Sequence, residues 1–279
     1  MKKALIIPNS AKEGVETLTA SVTEKLESIG IASCIKRDFW NSDGMEPNLD
    51  FSTDADVVII IGGDGSVLDV AKYSYEHKIP MFGVNLGKVG YLSEVEPGAL
   101  DMLDALVSGE YAIDEKMLLE VTYSNDDKIK YYAVNDVVIS HDSFLGIANI
   151  HLEDITGNSI SYRADGLIVA TPQGSTAYSL SAGGPVVAHN VESIIVTPVC
   201  AHSFFNRSVL FNSSDEITVK NLNNDMLKVS TDGRLCFELS PGEFVSVKKA
   251  KFGLKMVSFS ENSMFSNLFK KMRILEENN

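Results

Sequence analysis

The segment at residues 57–66 constrains the fold most strongly. Five consecutive apolar residues at 57–61 lead directly into Gly62-Gly63-Asp64-Gly65-Ser66. An unbroken apolar run predicts a strand buried on both faces, which is typical of a parallel sheet covered by helices. Apolar residues then recur at helical spacing, so the segment predicts a strand, a tight turn and a helix. A chain built around this unit is expected to contain an α/β domain.

The other segments of the first hundred residues follow the same alternation. Strands are predicted at 4–7, 31–36 and 80–85, and an amphipathic helix at 15–29. Pro97 and Gly109 bracket a further predicted helix at 99–108. We therefore predict an α/β domain with a parallel sheet over residues 1–110.

From Lys116 onward, short runs alternate apolar and polar residues and are separated by polar turns. Strands are predicted at 118–123, 129–134, 137–140, 150–155, 167–170, 194–198, 208–211, 216–220, 227–230 and 244–248. This pattern predicts an all-β, sandwich-like domain over residues 111–261. Helical spacing of apolar residues near the end predicts a last helix, 262–279, that packs back on the first domain.

The charge of the chain limits its partners. The 279 residues carry a formal net charge of -14, with 44% hydrophobic and 22% charged residues. Nucleic acid and anionic membranes need Lys and Arg to replace their counterions, so we expect neither as a partner. The three cysteines and five histidines lack metal-ligand spacing, so no metal site is predicted. The short apolar run at the N-terminus is neither a signal peptide nor a membrane span, which favours a cytoplasmic protein.

The Gly-Gly-Asp-Gly turn is typical of a phosphate site. Backbone amides of Gly62, Gly63 and Gly65 leave the end of a parallel strand, where a phosphate can approach without meeting a Cβ atom. A carboxylate would repel that phosphate, so Asp64 is better suited to accept a proton from an attacking hydroxyl or to orient it. The alternative is that Asp64 only caps the helix.

Two polar pairs interrupt the β pattern of the second half. Asn135-Asp136 stands between apolar pairs, and burying both groups unpaired would cost about 1 to 3 kcal/mol each. A ligand with ribose hydroxyls would satisfy them, although a hairpin turn or bulge is the alternative. Arg163 and Asp165 are two residues apart and would share one strand face, where a mutual ion pair is the alternative to ligand binding.

The segment at residues 170–185, Ala-Thr-Pro-Gln-Gly-Ser-Thr-Ala-Tyr-Ser-Leu-Ser-Ala-Gly-Gly-Pro, concentrates glycines and hydroxyls after an apolar run. Such a segment is more typical of a ligand site than of a core. Tyr178 is suited to stack on a base, and a buried tyrosine is the alternative. Asp232-Gly233-Arg234 is interpreted as a hairpin turn, with Arg234 available near phosphate.

Taken together and in this order, these motifs resemble the bacterial NAD kinase family over nearly the whole chain. The resemblance implies an N-terminal α/β domain, a C-terminal sandwich-like β domain, and transfer of the γ-phosphoryl group of ATP to the 2′-hydroxyl of the adenosine ribose of NAD. It implies a homodimer or homotetramer, Mg2+ carried with ATP rather than a tightly bound cofactor, and, in some members, use of polyphosphate.

The resemblance also assigns roles to single residues. Asp64 corresponds to the family's proton acceptor. Gly65 corresponds to a neighbouring position that contacts NAD. The other positions that correspond to NAD contacts are Asn135, Asp136, Arg163, Asp165, Thr176, Ala177, Tyr178, Ser179, Leu180, Ser181 and Cys200.

The chain departs from the family pattern at several positions. Ser66 and Gln173 replace commoner threonines, and Ala201 replaces a frequent proline. Asp69 stands where many members carry a basic residue, and Arg234 where many carry glutamine or histidine, which bears on the contacts to ATP phosphate. Two other hypotheses stay open at this point: another kinase with the Gly-Gly-Asp-Gly turn, acting on a lipid or sugar phosphate, and a non-catalytic dinucleotide sensor.

Overall fold

Parallel strands form the centre of the N-terminal part of the chain. The computed structural model describes residues 1–40, 47, 49, 51, 53–86, 90–141 and 147–259. Its elements before residue 117 are β1 (Lys3–Pro8), α1 (Val15–Ser28), β2 (Ala32–Ile35), β3 (Val57–Gly62), α2 (Asp64–His77), β4 (Met81–Asn85), β5 (Ser93–Val95), α3 (Ala105–Ser108) and β6 (Ala112–Lys116).

The strand order β2-β1-β3-β4 is parallel throughout, and β5 pairs with β4. Every residue of β3 and β4 is buried, as the unbroken apolar run at 57–61 predicts. Helix α1 packs on this sheet through the apolar positions of its helical repeat, Val15, Leu18, Val22 and Leu26. Burial of these side chains, worth roughly 1.5 to 3 kcal/mol each, is what holds the layers together.

The helix predicted at 99–108 differs from the structure. Residues Pro97–Asp104 form 3-10 turns, and only α3 is α-helical. The backbone of Ala99 has φ -121 and ψ 28, which interrupts regular helical geometry directly after the proline turn.

The middle of the chain is all β. Its strands are β7 (Leu119–Tyr123), β8 (Asp126–Ala133), β9 (Asp136–His141), β10 (Ala148–Asp154), β11 (Ser159–Ala164), β12 (Gly166–Ala170), β13 (Ser193–Val199), β14 (Val209–Asn212), β15 (Glu216–Asn221), β16 (Leu227–Thr231), β17 (Arg234–Leu239) and β18 (Phe244–Lys249). They form two sheets of antiparallel pairs, in the orders β11-β10-β15-β18-β7-β8 and β14-β13-β12-β9-β16-β17. A short helix, α4 (Tyr178–Ser181), follows β12.

One apolar core joins the two antiparallel sheets. It contains Val121 and Val247 from the first sheet and Val137, Val169 and Val229 from the second, all fully buried. Buried residues alternate with exposed or half-buried ones along β10, and with half-buried ones along β16. This is the packing that the period-two pattern predicts, so the α/β plus all-β fold class is confirmed.

A last described strand, β19 (Leu254–Ser258), returns to the parallel sheet. It pairs with β4 and completes the order β4-β19-β6. The chain therefore divides into a first unit, residues 1–115 with 254–259, and a second unit, Lys116–Gly253. The predicted boundaries at 110 and 261 differ because β6 and β19 belong to the parallel sheet. The predicted helix at 262–279 lies outside the described residues.

Within the described part of the chain, no helix has both the length and the apolar character needed to cross a membrane.

Candidate active site

The Gly-Gly-Asp-Gly turn lies where β3 ends and α2 begins. Gly63 precedes α2, and Asp64 is the first residue of the helix. Strand β1 has β2 on one side and β3 on the other. The direction in which successive strands are added to the sheet therefore reverses between β1 and β3. Ligands of parallel α/β sheets bind at such a reversal. A Cβ atom added at Gly63 or Gly65 would meet nothing within 4 Å, so both backbones are open to an approaching ligand.

Gly62 has a different physical role from Gly63 and Gly65. A Cβ atom at Gly62 would lie 2.7 Å from the Ser66 Cβ and closer still to its hydroxyl oxygen. The Asn9 side-chain amide donates to that hydroxyl at 2.8 Å. Gly62 is thus needed for close packing of β3 against the first turn of α2, while its contact with phosphate stays a prediction.

The carboxylate of Asp64 is held by the loop that follows β4. Its Oδ2 accepts the Tyr91 N–H at 2.8 Å, and its Oδ1 accepts the Leu92 N–H at 3.0 Å. A Cβ atom at Gly90 would lie 3.1 Å from the Asp64 Cγ and closer still to Oδ1, so only glycine fits there. A carboxylate oxygen can accept more than one hydrogen bond, so these two bonds do not by themselves saturate the group.

This arrangement gives part of the glycine-rich segment 83–92 its function in the fold. Its residues 91 and 92 donate the two N–H groups that orient the Asp64 carboxylate. Gly87, Lys88 and Val89 lie outside the described residues.

Asp69, one of the departures from the family pattern, has a local partner. Its Oδ2 accepts the indole N–H of Trp40 at 2.9 Å. Trp40 packs edge-on against the buried ring of Phe39, with ring centroids 4.9 Å apart. The carboxylate at this position therefore anchors the chain that follows β2.

In the second unit, Asn135 and Asp136 lie at the start of β9. Asp136 is 5% exposed, and Asn135 is half-buried. The Asn135 carbonyl accepts the Thr171 N–H at 2.9 Å, which ties this site to the beginning of the 170–185 segment. The structure therefore brings together two motifs that are 36 residues apart in sequence.

The sequence reasoning missed Asp232 as part of this site. Its carboxylate accepts three consecutive N–H groups, from Val134 at 2.8 Å, Asn135 at 2.7 Å and Asp136 at 3.1 Å. The predicted Asp-Gly turn is present, with φ 48 at Asp232 and φ 80 at Gly233. A turn motif alone carries no signal that its side chain reaches residues almost a hundred positions earlier.

The environment of Asp136 favours its protonated form. Burial, together with the nearby charge of Asp232, raises the pKa of Asp136 from 3.8 to about 7, and the Tyr178 N–H opposes this shift. The pKa of Asp232 is also raised above its ordinary value, because burial outweighs the opposing effect of three N–H groups. Asp136 receives one such hydrogen bond and Asp232 receives three, an arrangement that favours the negative charge of the pair on Asp232.

Most hydroxyls of the 170–185 segment serve the fold itself. The Thr171 hydroxyl donates to the Val134 carbonyl at 2.7 Å and accepts the Gly174 N–H at 2.9 Å. The Ser175 hydroxyl donates to the Pro172 carbonyl at 2.7 Å and accepts the Val187 N–H at 3.1 Å. These bonds give a tight, buried turn its shape.

Ser179 is the enclosed member of the predicted NAD-binding run 176–181, and its contact with NAD stays a prediction. It is fully buried, and its hydroxyl bonds with that of Thr197 at 3.1 Å, which bonds in turn with Ser208 at 3.0 Å. Ser179 therefore supports the segment from behind. The neighbouring Tyr178, Leu180 and Ser181 are exposed, Ala177 is half-buried, and Thr176 is 9% exposed.

Arg163 and Asp165 lie beside the loop that contains Cys200. The Arg163 carbonyl accepts the His202 N–H at 2.6 Å, and the Asp165 N–H donates to Val199 at 3.0 Å. Cys200 is exposed and has φ 47. Arg163 and Asp165 are both exposed, with buried Ala164 between them, as shared strand facing predicts. Within the described coordinates no ion pair joins the two side chains.

No group of three or more acidic, histidine or cysteine side chains is placed to hold a metal ion among the residues that the structure describes.

Comparison with known proteins covers both units. Residues 6–111 match the model of the ATP-NAD kinase N-terminal domain, and residues 134–259 match that of the ATP-NAD kinase C-terminal domain. The NAD kinase of Natranaerobius thermophilus is 35% identical over 282 residues, which is 98% of each chain. That of Carboxydothermus hydrogenoformans is 38% identical over 224 residues, covering 78% of this chain and 79% of the relative.

Two solved structures share the fold. Yeast NADH kinase complexed with NADH superimposes with a TM-score of 0.85 at 22% identity, over 98% of this chain and 87% of the other. An NAD kinase from Archaeoglobus fulgidus in complex with ATP has a TM-score of 0.74 at 24% identity, over 98% and 99% of the two chains.

Proposed function

Because this chain belongs to the ATP-NAD kinase family, we propose that Asp64 accepts the proton of the ribose hydroxyl that is phosphorylated. The activity is that of an NAD kinase: the γ-phosphoryl group of ATP is transferred to the 2′-hydroxyl of the adenosine ribose of NAD. Matches along both halves of the chain favour this function over a lipid or sugar-phosphate kinase and over a dinucleotide sensor.

The geometry of Asp64 is the observation that supports this role best. Two N–H groups fix the direction of its carboxylate at the end of β3, where the bare backbones of Gly63 and Gly65 are open to phosphate. Phosphoryl transfer asks for little covalent chemistry from the protein, so alignment of the hydroxyl with the γ-phosphate supplies most of the acceleration. An acceptor held in one orientation contributes to that alignment.

The residues proposed to contact NAD are of two kinds. Asn135 and Asp136 offer side-chain polar groups at the start of β9, and Tyr178 offers an exposed ring. The other predicted contacts are Gly65, Arg163, Asp165, Thr176, Ala177, Ser179, Leu180, Ser181 and Cys200. Of these, Ser179 is fully buried.

Further proposals complete this function. Mg2+ enters bound to the phosphates of ATP. The protein acts in the cytoplasm. It assembles as a homodimer or homotetramer, and polyphosphate is the alternative donor to be assayed beside ATP.

The variant Asp64→Asn tests the proton acceptor. We expect turnover to fall by about 10² to 10⁴ while the KM for NAD changes only a few-fold, because the amide cannot take the hydroxyl proton. The measurement is NADP formation from ATP, Mg2+ and NAD by purified protein.

Asp56→Asn is the matched control. The Asp56 carboxylate also accepts two backbone N–H groups, from Lys2 at 2.6 Å and Lys3 at 3.0 Å, but lies outside the motif. Both variants lose one negative charge and one acceptor, so only the loss of catalysis should separate them. If folded Asp64→Asn keeps the turnover of Asp56→Asn, the assignment of Asp64 is wrong.

A further inference from the structure

The hairpin turn between β16 and β17 reaches into the proposed NAD site. Asp232 and Gly233 both have left-handed φ values, 48 and 80, as a two-residue hairpin turn requires. This conformation directs the Asp232 carboxylate onto the backbone that joins β8 to β9. The contact is reciprocal, since the Asp232 N–H donates to the Asp136 carbonyl at 2.9 Å.

The bonds to Asp232 fix a segment that has no regular pairing of its own. Val134 and Asn135 lie between two strands, and their N–H groups find their acceptors on the two Asp232 carboxylate oxygens. A buried N–H group without an acceptor is costly, so one carboxylate stabilises a single backbone conformation here. That conformation determines where the Asn135 and Asp136 side chains stand.

We propose that Asp232 is a positioning residue for NAD: it holds the backbone of residues 134–136 in the conformation in which Asn135 and Asp136 bind the ligand. The same contact places the Asp232 charge beside Asp136, which favours the protonated form of Asp136. The inference rests on the proposed function, in which Asn135 and Asp136 contact NAD. Asp232 itself acts through these two residues.

The groups that surround Asp136 explain why its pKa is raised. From β12 the residue paired with Asp136 is Ala170, which is uncharged. From the turn after β16 comes the carboxylate of Asp232, and from the start of α4 the N–H of Tyr178. Burial and the Asp232 charge outweigh that one N–H group, so the pKa of Asp136 rises to about 7. Asp136 can therefore donate a hydrogen bond at a pH where an ordinary aspartate only accepts.

The experiment compares the KM for NAD, the KM for ATP and kcat across pH in four proteins: wild type, Asp232→Asn, Asp136→Asn and Asp154→Asn. Asp154 is the matched control because its carboxylate also accepts N–H groups in a hairpin turn, from Thr156 at 2.8 Å and Asn158 at 3.0 Å. Asp232→Asn keeps one acceptor oxygen and is expected to fold more readily than Asp232→Ala.

We expect Asp232→Asn to raise the KM for NAD by about tenfold, with the KM for ATP and kcat within about twofold. The step in the wild-type pH profile of the KM for NAD should move to lower pH, because the neighbouring negative charge is gone. Asp136→Asn should remove that step. A purely structural role of Asp232 would lower the melting temperature without this selective change.

Each other outcome has a definite meaning. An unchanged KM and an unshifted step in Asp232→Asn, while Asp136→Asn lacks the step, would overturn the inference and leave the proposed site intact. An Asp136→Asn protein with the wild-type KM at every pH, above the step as well as below it, would overturn both. If Asp232→Asn does not fold, the wild-type profile still decides, because a step near pH 4 instead of near 7 contradicts a proton held on Asp136.

Discussion

The variant Gly174→Ala tests whether the 170–185 segment shapes the NAD site from within. A Cβ atom at position 174 would lie 2.7 Å from the Asn135 Cα and closer still to the Asn135 carbonyl carbon and oxygen. All three are backbone atoms, so no side-chain rotation relieves the contact. Ordinary van der Waals separation begins at 3.4 Å, so the backbone at residue 174 or at residue 135 must shift.

The magnitude follows from what that shift disrupts. Overpacking in a buried site costs about 1 to 3 kcal/mol. The Asn135 carbonyl accepts the Thr171 N–H at 2.9 Å, and weakening this buried bond adds about 1 kcal/mol. Reduced freedom of the unfolded chain offsets about 0.4 to 1 kcal/mol. The net loss of about 1 to 3.5 kcal/mol corresponds to a fall in melting temperature of roughly 3 to 10 °C.

Thermal melting followed by circular dichroism, with the KM for NAD, measures both consequences. Moving Asn135 by a fraction of an ångström is expected to raise the KM for NAD by about tenfold or more. Gly98→Ala is the control, because a Cβ atom there meets nothing within 4 Å and no left-handed φ is involved. A Gly174→Ala protein with the melting temperature and KM of Gly98→Ala would refute the reasoning.

Three further outcomes are expected. Gly90→Ala should push the Asp64 carboxylate off its two N–H donors and lower kcat by about tenfold or more in the same NADP assay; kcat within about twofold of wild type would contradict this. The free energy of unfolding, measured in urea, should fall by a few kcal/mol as pH rises from 3.8 to about 7, because Asp136 releases its proton at a higher pH in the folded than in the unfolded chain. Asp136→Asn should lack this decrease. An equal decrease in the variant would exclude Asp136 as its source. Ser179→Ala should lower stability by about 1 kcal/mol through loss of the bond to Thr197 and leave the KM for NAD unchanged, whereas a raised KM would support Ser179 as a ligand contact.

The sequence predicted the elements whose signals are local. The apolar run before Gly62 specified a buried parallel strand, and alternation along residues such as 227–230 specified antiparallel ones. Four strands of few buried residues were missed, namely β5, β6, β11 and β17. Their residues are mostly exposed or half-buried, so these segments lack a strong apolar period. The pairing of β19 with β4 was missed as well, because the residues of a strand do not specify which strand it pairs with.

In the candidate site, too, the sequence showed local features and missed the contacts between distant residues. Its motifs were visible as residue types: glycines at 62, 63 and 65, the acidic Asp64, the polar pair at 135–136 and the segment at 170–185. Their partners were not, because the donors to Asp64 come from 27 and 28 residues away. Hydroxyls that looked equivalent in the segment also turned out to differ, since Ser179 is enclosed and Ser181 is exposed.

The sequence by itself determined which segments become strands and turns, and which residue types are present for phosphate and ribose chemistry. Only the tertiary structure decided that Asp232 accepts the N–H groups of Val134, Asn135 and Asp136, and that burial raises the pKa of Asp136. The physical reason is that periodicity and turn chemistry act between near neighbours in the chain. Burial and hydrogen-bond partners depend instead on the register of strands that meet only after folding.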